Sequence, residues 1–135
     1  MPPLVESTAR GGDRARLASV ALGAALSVDG VLAADAGPRG LHATASGGTL
    51  VRGVRVVAEP GGRYGVELGL QAGVEPLQPL ADRIRERVRR RAEATGLAAR
   101  LGPVSVTFYA VLDADEAAAL VLAEALEAAS PEPVP

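Results

Sequence analysis

The feature that most constrains the fold is one helix with a continuous apolar stripe, expected from about Glu75 to Thr95. Its apolar residues recur at the 3.6-residue spacing of a helix face: Leu77, Leu80, Ala81, Ile84, Val88 and Ala92. Pro76 and Pro79 fit only the first turn, where a missing N–H costs little. Gly96 can end the helix in the left-handed conformation.

The residues before this helix predict an antiparallel hairpin. A strand is expected from Leu50 to Glu59, and Glu59–Gly62 has the composition of a hairpin turn. The returning strand, Arg63 to Gln71, alternates between apolar residues on one face (Tyr64, Val66, Leu68, Leu70) and polar residues on the other (Arg63, Glu67, Gln71). This alternation predicts a sheet with one face in water.

Each end of the chain predicts a further helix. The first is expected from Arg14 to Val28, with Asp13 as its N-cap. It is apolar around most of its circumference, so we expect it to be buried on two sides or to meet another chain. The last helix is expected to start at Asp113, with Glu116 completing a capping box, and to run to about Ala129.

Short strands complete the pattern. They are expected at Val31–Ala36 and Leu41–Ala45, joined by a turn at Gly37–Gly40, and at Pro103–Leu112. In the last of these, alternate residues should face inward: Val104, Val106, Phe108 and Ala110. The order helix, strands with a hairpin, helix, strand, helix predicts an α+β fold of two layers, with a small, mainly antiparallel sheet packed by helices.

The length of 135 residues suits one domain with its own core. We expect that domain at residues 14–129, between a flexible N-terminal lead (1–13) and a frayed, proline-rich tail (130–135). The longest uncharged stretch, Leu17–Val28, is far shorter than the roughly 20 residues of a membrane-spanning helix. Acidic residues before it do not suit a signal peptide. The sequence therefore predicts a cytoplasmic protein with no direct membrane span.

Composition excludes several kinds of chemistry. The chain has no cysteine and no lysine, so thiol catalysis, cysteine-ligated zinc, Schiff bases and the lysine-containing phosphate loop are ruled out. The single histidine, His42, would need a neighbouring nucleophile and an orienting carboxylate to act as a base. Ser46 is near in sequence, but no triad motif surrounds it. We therefore interpret His42 as a partly exposed loop residue.

Three carboxylates at the start of the last helix, Asp113, Asp115 and Glu116, could suggest acid–base chemistry. The helix macrodipole favours negative charge at this position, which explains them without catalysis. The sequence therefore predicts no enzyme, no metal and no cofactor.

Six arginines crowd the amphipathic helix, mostly away from its apolar stripe: Arg83, Arg85, Arg87, Arg89, Arg90 and Arg91. Phosphate binding is one interpretation, since arginine binds phosphate in a bidentate manner. The other is a solvated face with i,i+4 pairs such as Glu86–Arg90. The segment Gly37–Gly40, which contains Arg39, matches the G-x-x-G clamp of RNA-binding KH domains but also suits an ordinary turn. The net charge of −2 argues against a dedicated nucleic-acid binder.

The last stretch of the chain carries the compensating negative charge. From Asp113 onwards it holds six carboxylates and no arginine. A helical wheel places Glu116, Glu124 and Glu127 with Leu120, and sets Val121, Leu122, Ala125 and Leu126 on the other side. We hypothesise that this acidic helix meets the basic helix, within one chain or between two. The candidate partner-binding residues are Arg83, Arg87, Arg90, Arg91, Leu120, Glu124 and Glu127.

Several blocks in order resemble the alkaline shock protein family, also called Gls-type envelope stress response proteins. Val28–Val31 looks like the N-terminal V-x-G-V signature, and Ala81–Val88 like the A-x-x-I-R-x-x-V helix. Thr95-Gly96 and the strand Val104–Val106 follow in the family order. The matching blocks span about Leu17 to Leu112. The chain departs in having Ala72 where members often carry tyrosine, and in extra residues at Ala98–Gly102.

The resemblance implies a small, non-enzymatic cytoplasmic protein of Gram-positive-type bacteria that is linked to the cell envelope. Such proteins gather beneath the membrane by binding a membrane-anchored partner, and the family offers no catalytic residues to carry over. We therefore expect an interaction protein that self-associates as a homo-oligomer, docks on an envelope partner, or both. The alternative is a KH-like or basic-patch nucleic-acid binder that uses Arg39, Arg87 and Arg90.

Overall fold

The structure is a computed structural model that describes residues 3–46 and 49–129. Its helices are α1 (Pro3–Leu26), α2 (Leu77–Ala94) and α3 (Ala114–Ala129), and a short 3₁₀ turn covers Ala98–Arg100. Its strands are β1 (Val31–Ala34), β2 (Ala43–Ser46), β3 (Thr49–Arg52), β4 (Val54–Glu59), β5 (Arg63–Gly73) and β6 (Leu101–Leu112). The predicted α+β architecture in one domain is confirmed.

Strand β5 is the centre of the main sheet. β1 and β4 pair with successive parts of one side of β5, both antiparallel, and β6 pairs with the other side. β6 runs parallel to β5, because α2 and the 3₁₀ turn carry the chain back to the start of the sheet. β2 and β3 form a separate two-stranded hairpin. The predicted, mainly antiparallel sheet is therefore present, with one parallel pair at its edge.

The segment predicted as one strand, Leu50 to Glu59, is divided at Gly53. This glycine has a positive φ of 97°, and its N–H donates to the His42 carbonyl at 2.6 Å. A Cβ here would lie 2.6 Å from the Cβ of Ala34. The break lets β3 leave the main sheet and pair with β2.

The core lies between α1, α2 and one face of the sheet. The predicted stripe of α2 is confirmed: Leu80, Ile84 and Val88 are fully buried, and Leu77 is partly buried against them. The apolar face of β5 is buried as the alternation predicts, with Tyr64 only partly covered. α1 contributes small side chains, which allow two helices to pack closely over one sheet: Ala18, Ala21, Ala24 and Ala25.

The C-terminus of α2 follows a Schellman motif, which confirms the role predicted for Gly96. Gly96 has a φ of 76°, its N–H donates to the Glu93 carbonyl, and the Leu97 N–H donates to that of Ala92 at 2.7 Å. Leu97 is then buried against Leu17 and Ala92. The packing of Leu97 thus holds the C-terminal end of α2 against α1.

The start of α1 corrects one prediction. The helix begins at Pro3, so Asp13 lies inside it and is not its N-cap. The Asp13 carboxylate instead lies 3.8 Å from Arg16 and 3.4 Å from Arg100. From Pro3 onwards the predicted N-terminal lead is therefore part of α1. The predicted tail, 130–135, lies outside the described residues.

Candidate interaction surface

Four of the six arginines of α2 form ion pairs with nearby carboxylates, and all are exposed. The pairs are Arg83 with Glu75 (2.6 Å), Arg85 with Asp82 (3.0 Å), Arg89 with Glu86 and Glu93, and Arg90 with Glu86 (3.0 Å). The predicted Glu86–Arg90 pair is among them. Pairs of this kind contribute little to stability, up to about 1 kcal/mol each. Their effect here is to neutralise much of the positive face.

Glu86 is the hub of this network. Two hydrogen bonds hold the pKa of the Glu86 carboxyl below its usual value of 4.5. The bond from Arg89 has the larger effect and the bond from Arg90 the smaller one. The same contact raises the pKa of Arg89. Both pKa shifts result from an ion-pair network between side chains on the surface of one helix.

Arg87 and Arg91 differ from the other four. Among the described residues neither forms an ion pair with a carboxylate. Arg87 Nη1 donates to Ser27 Oγ at 2.8 Å and so ties α2 to the end of α1. Of the predicted partner-binding arginines, Arg91 is therefore the one whose guanidinium is most available.

A groove of about 480 Å³ lies between the end of α1 and α2. It brings together three of the predicted site residues, Arg83, Arg87 and Arg90, but not Arg91. Three carboxylates, Asp29, Asp82 and Glu86, line the same groove. Arginines and carboxylates are equal in number, so the groove has no excess of positive charge for a phosphate.

Helix α3 stands apart from the core. Its first turn has the predicted capping box, in which Asp113 Oδ1 accepts from the Glu116 N–H at 2.8 Å and Glu116 Oε1 accepts from the Asp113 N–H. Its main contacts are with β6, the strand it follows. In the part of the chain that the structure describes, α3 does not pack along the basic α2 of its own chain, as the within-chain version of our hypothesis would require.

The apolar side of α3, which the helical wheel sets opposite Leu120, is exposed. Val121, Leu122 and Leu126 are 65%, 61% and 61% exposed, whereas Leu120 is half-buried. The helical wheel alone does not say which side of α3 faces the protein. The side chains of Glu124 and Glu127 lie outside the described part of the chain.

The other candidates, His42 and the Gly37–Gly40 turn, lie between β1 and β2. His42 Nδ1 lies 2.9 Å from the hydroxyl of Tyr109 in β6, and the two rings meet edge to face. Sequence reasoning missed this pair, because nothing in the spacing of residues 42 and 109 links them. Gly37–Gly40 forms a turn between β1 and β2, with Arg39 exposed. Since strands flank it, the turn does not have the two-helix setting of a KH clamp.

Within residues 3–46 and 49–129, no three His, Cys, Asp or Glu side chains are grouped to hold a metal ion. No helix in this part of the chain is long and apolar enough to cross a membrane. Comparisons of the chain with protein-family models, with curated proteins and with solved structures found no match. The resemblance to the alkaline shock protein family therefore stays a prediction that rests on the sequence blocks described above.

Proposed function

We propose that this chain is a non-enzymatic interaction protein of the envelope stress response type. In this role it self-associates as a homo-oligomer, docks on a membrane-anchored envelope partner from the cytoplasmic side, or does both. The observation that carries the proposal is the exposed apolar face of α3. Three large aliphatic side chains together in water are typical of a surface that another protein covers.

The charge of α3 supports the same reading. Its first turn carries Asp115 and Glu116, and no arginine occurs after Arg100. Apolar residues beside acidic ones are the composition of an interface with a polar rim. The Arg91 side of α2 offers positive charge for such a helix in a second molecule, since Arg91 is left without a carboxylate partner among the described residues.

Nucleic-acid binding is the less favoured alternative. Of the residues it would use, Arg90 is engaged by Glu86, and Arg39 lies in a turn between two strands. A binder that depends on phosphates loses affinity steeply with salt. Arg87→Glu with Arg90→Glu would then abolish binding of a labelled RNA, whereas a protein contact through α3 would persist at high salt.

The first experiment is crosslinking in cells, followed by purification and mass spectrometry. The expected result is recovery of further copies of this chain together with a membrane-anchored protein. Leu122→Glu with Val121→Glu should remove those partners, while Ala98→Glu with Ala99→Glu, an equal charge change at exposed sites in the 3₁₀ turn, should leave them. Reversal of Glu124 and Glu127 to arginine should also change self-association. Recovery of RNA and ribosomal proteins instead would contradict the proposal.

A further inference from the structure

The β2–β3 hairpin has one face against the core and one face in water. Thr44 and Val51 are paired across the strands on the inner face, where Thr44 is buried and its hydroxyl donates to the Val54 carbonyl at 2.8 Å. Side chains alternate between the two faces of a strand, so the neighbouring cross-strand pairs lie on the outer face. These outer pairs are Ala43 with Arg52 and Ala45 with Leu50.

The hairpin surface, formed by these four outer residues, is apolar and basic. Leu50 is 54% exposed, and the small side chains of Ala43 and Ala45 leave room beside it. Arg52 is exposed and forms no ion pair with any carboxylate in the described part of the chain. Leu41, two residues before β2, is 62% exposed and extends the apolar character of this region.

The exposed side of α3 has the complementary composition. Asp115 forms no ion pair within residues 3–46 and 49–129, and it lies two helical turns before Leu122 on the same side of the helix. The α3 surface is therefore apolar and acidic, whereas the hairpin surface is apolar and basic. Helical spacing places five exposed residues on it: Asp115, Ala118, Val121, Leu122 and Ala125.

The spacing of the groups on the two surfaces also agrees. Asp115 and Leu122 are seven residues apart, which is about 10 Å along a helix. Leu50 and Arg52 are two residues apart, about 7 Å along a strand, and the long arginine side chain covers the rest of the distance. When Leu122 packs on Leu50, Arg52 can therefore bind the Asp115 carboxylate. The alanines on both surfaces allow the helix to approach the hairpin closely.

We infer that α3 of one copy of this chain packs on the hairpin surface of a second copy. One chain does not join its own two surfaces: in the part that the structure describes, the main contacts of α3 are with β6, and those of the hairpin are with β4 and α1. Contact between two like surfaces is unfavourable, because it sets carboxylate against carboxylate or arginine against arginine. The two complementary surfaces belong to one sequence, so a second copy supplies the missing half of each.

The hairpin surface suits α3 better than the Arg91 side of α2 does. Arg91 offers positive charge, but no large apolar side chain of α2 is exposed among the described residues. An interface needs an apolar centre as well as a polar rim. Leu50 beside Arg52 provides both.

A contact between two different surfaces joins the copies head to tail. Each dimer keeps one free α3 surface and one free hairpin surface, so further copies can add until a ring closes or a filament grows. The inference rests on the self-association in the proposed function, and it names the surface that receives α3.

The first test is sedimentation of the full chain over a range of concentrations. We expect species at successive multiples of 13.6 kDa. Leu50→Glu should raise the dissociation constant of the contact by at least about tenfold, since it places a carboxylate against the acidic α3 surface. Leu26→Glu, the same change at an exposed leucine in α1, is the matched control and should leave the constant unchanged.

The second test exchanges the charges of one ion pair. Arg52→Asp and Asp115→Arg should each raise the dissociation constant by about fivefold, the upper range for an exposed ion pair. The chain that carries both changes should return to the wild-type constant, because an arginine at 115 then meets an aspartate at 52 of the next copy. A variant that fails to fold cannot be rescued in this way, and losses that simply add overturn the contact.

The third test distinguishes a head-to-tail contact from a symmetric one. Leu50→Glu retains a functional α3 surface, and Leu122→Glu retains a functional hairpin surface. Each variant alone should stay monomeric, whereas an equimolar mixture should form a heterodimer that does not grow further. If Leu50→Glu alone still forms dimers, α3 pairs with α3 and the inference is wrong.

The outcomes separate this inference from the proposed function. A wild-type chain that stays monomeric at millimolar concentration overturns the inference and the self-association in the proposed function, even if its α3 binds another protein. An oligomer that Leu122→Glu weakens and Leu50→Glu does not overturns only the hairpin contact. If Arg91→Asp weakens that oligomer, α3 packs on α2 of the second copy instead.

Discussion

The phenol ring of Tyr109 lies over the backbone of Gly69, with its hydroxyl 2.9 Å from Nδ1 of His42. A Cβ at Gly69 would lie 2.9 Å from the Tyr109 ring and would also collide with the Asp35 carbonyl oxygen. This one glycine therefore allows β5, β6 and the segment after β1 to meet on the outer face of the sheet. This contact explains why the outer face of the sheet, opposite the core, is only partly exposed to water.

Gly69→Ala is expected to destabilise the protein by about 1–3 kcal/mol, the usual cost of adding a methyl group where no space exists. The backbone carbonyl of Asp35 cannot turn aside as a flexible side chain could. Chemical denaturation followed by circular dichroism measures the change. Gly12→Ala is the matched control, because a Cβ there meets nothing within 4 Å. An alanine at position 69 that folds with wild-type stability would mean that the sheet and this segment are not packed as described.

Tyr109→Phe tests whether the hydrogen bond or the ring is the important part of the same contact. Tyr109 is 37% exposed, so water can replace the lost bond to His42. We expect a loss of only about 0.5–1 kcal/mol, the net value of a hydrogen bond. Tyr109→Ala should cost more, because it also removes the ring that covers Gly69. Equal losses for the two variants would show that the ring contributes no packing.

Periodic features of the sequence predicted most of the architecture. The α2 stripe, the alternation of β5 and the capping box at Asp113 each depend on residues close together in the chain, so local spacing is enough to identify them. Gly96 was predictable for the same reason. The division at Gly53 was not, because it depends on the approach of Ala34 from another part of the chain.

The candidate surface shows the same limit. The sequence shows the arginines of α2 and the two sides of α3. It does not show the ion pair between Arg83 and Glu75, because Glu75 lies before the start of α2 and Arg83 lies within the helix. Which side of α3 faces the protein depends on where β6 ends in space. The helical wheel carries no information about that direction, so the exposure of Val121 and Leu122 could not be predicted.

Gly96→Ala is expected to destabilise the protein by about 1 kcal/mol. Position 96 has open space for a methyl group, but its φ of 76° is unfavourable for any residue with a Cβ. Thermal unfolding gives the change in midpoint. Gly23→Ala provides the opposite comparison: it lies exposed within α1 with nothing near its Cβ, and helix propensity predicts stabilisation by about 0.5–1 kcal/mol. If the two variants both raise or both lower the unfolding midpoint, the left-handed conformation assigned to Gly96 is wrong.

Ile84→Ala is expected to cost about 2–5 kcal/mol, since Ile84 is fully buried where α2 meets the sheet and α1. Leu122→Ala should cost far less, because that side chain is 61% exposed in the single chain. Denaturant midpoints at low protein concentration measure both. A large loss for Leu122→Ala that grows with protein concentration would reveal that α3 is already part of an oligomer under those conditions.

Glu86→Gln is expected to make the protein less sensitive to acid. The folded state holds the pKa of Glu86 below 4.5, because Arg89 and Arg90 bind the charged carboxylate. A carboxyl with a lowered pKa contributes stability above its unfolded value, and that contribution is lost as the pH falls from about 4.5 through the lower folded value. Unfolding midpoints at pH 7 and pH 3 should therefore differ less in Glu86→Gln than in the wild type.

This contrast between the wild type and Glu86→Gln should shrink in about 1 M salt, which screens exposed ion pairs. Glu67→Gln, which removes a carboxylate 3.8 Å from Arg55, controls for the loss of one charge. An identical acid response in the wild type and Glu86→Gln would show that the network does not form in solution.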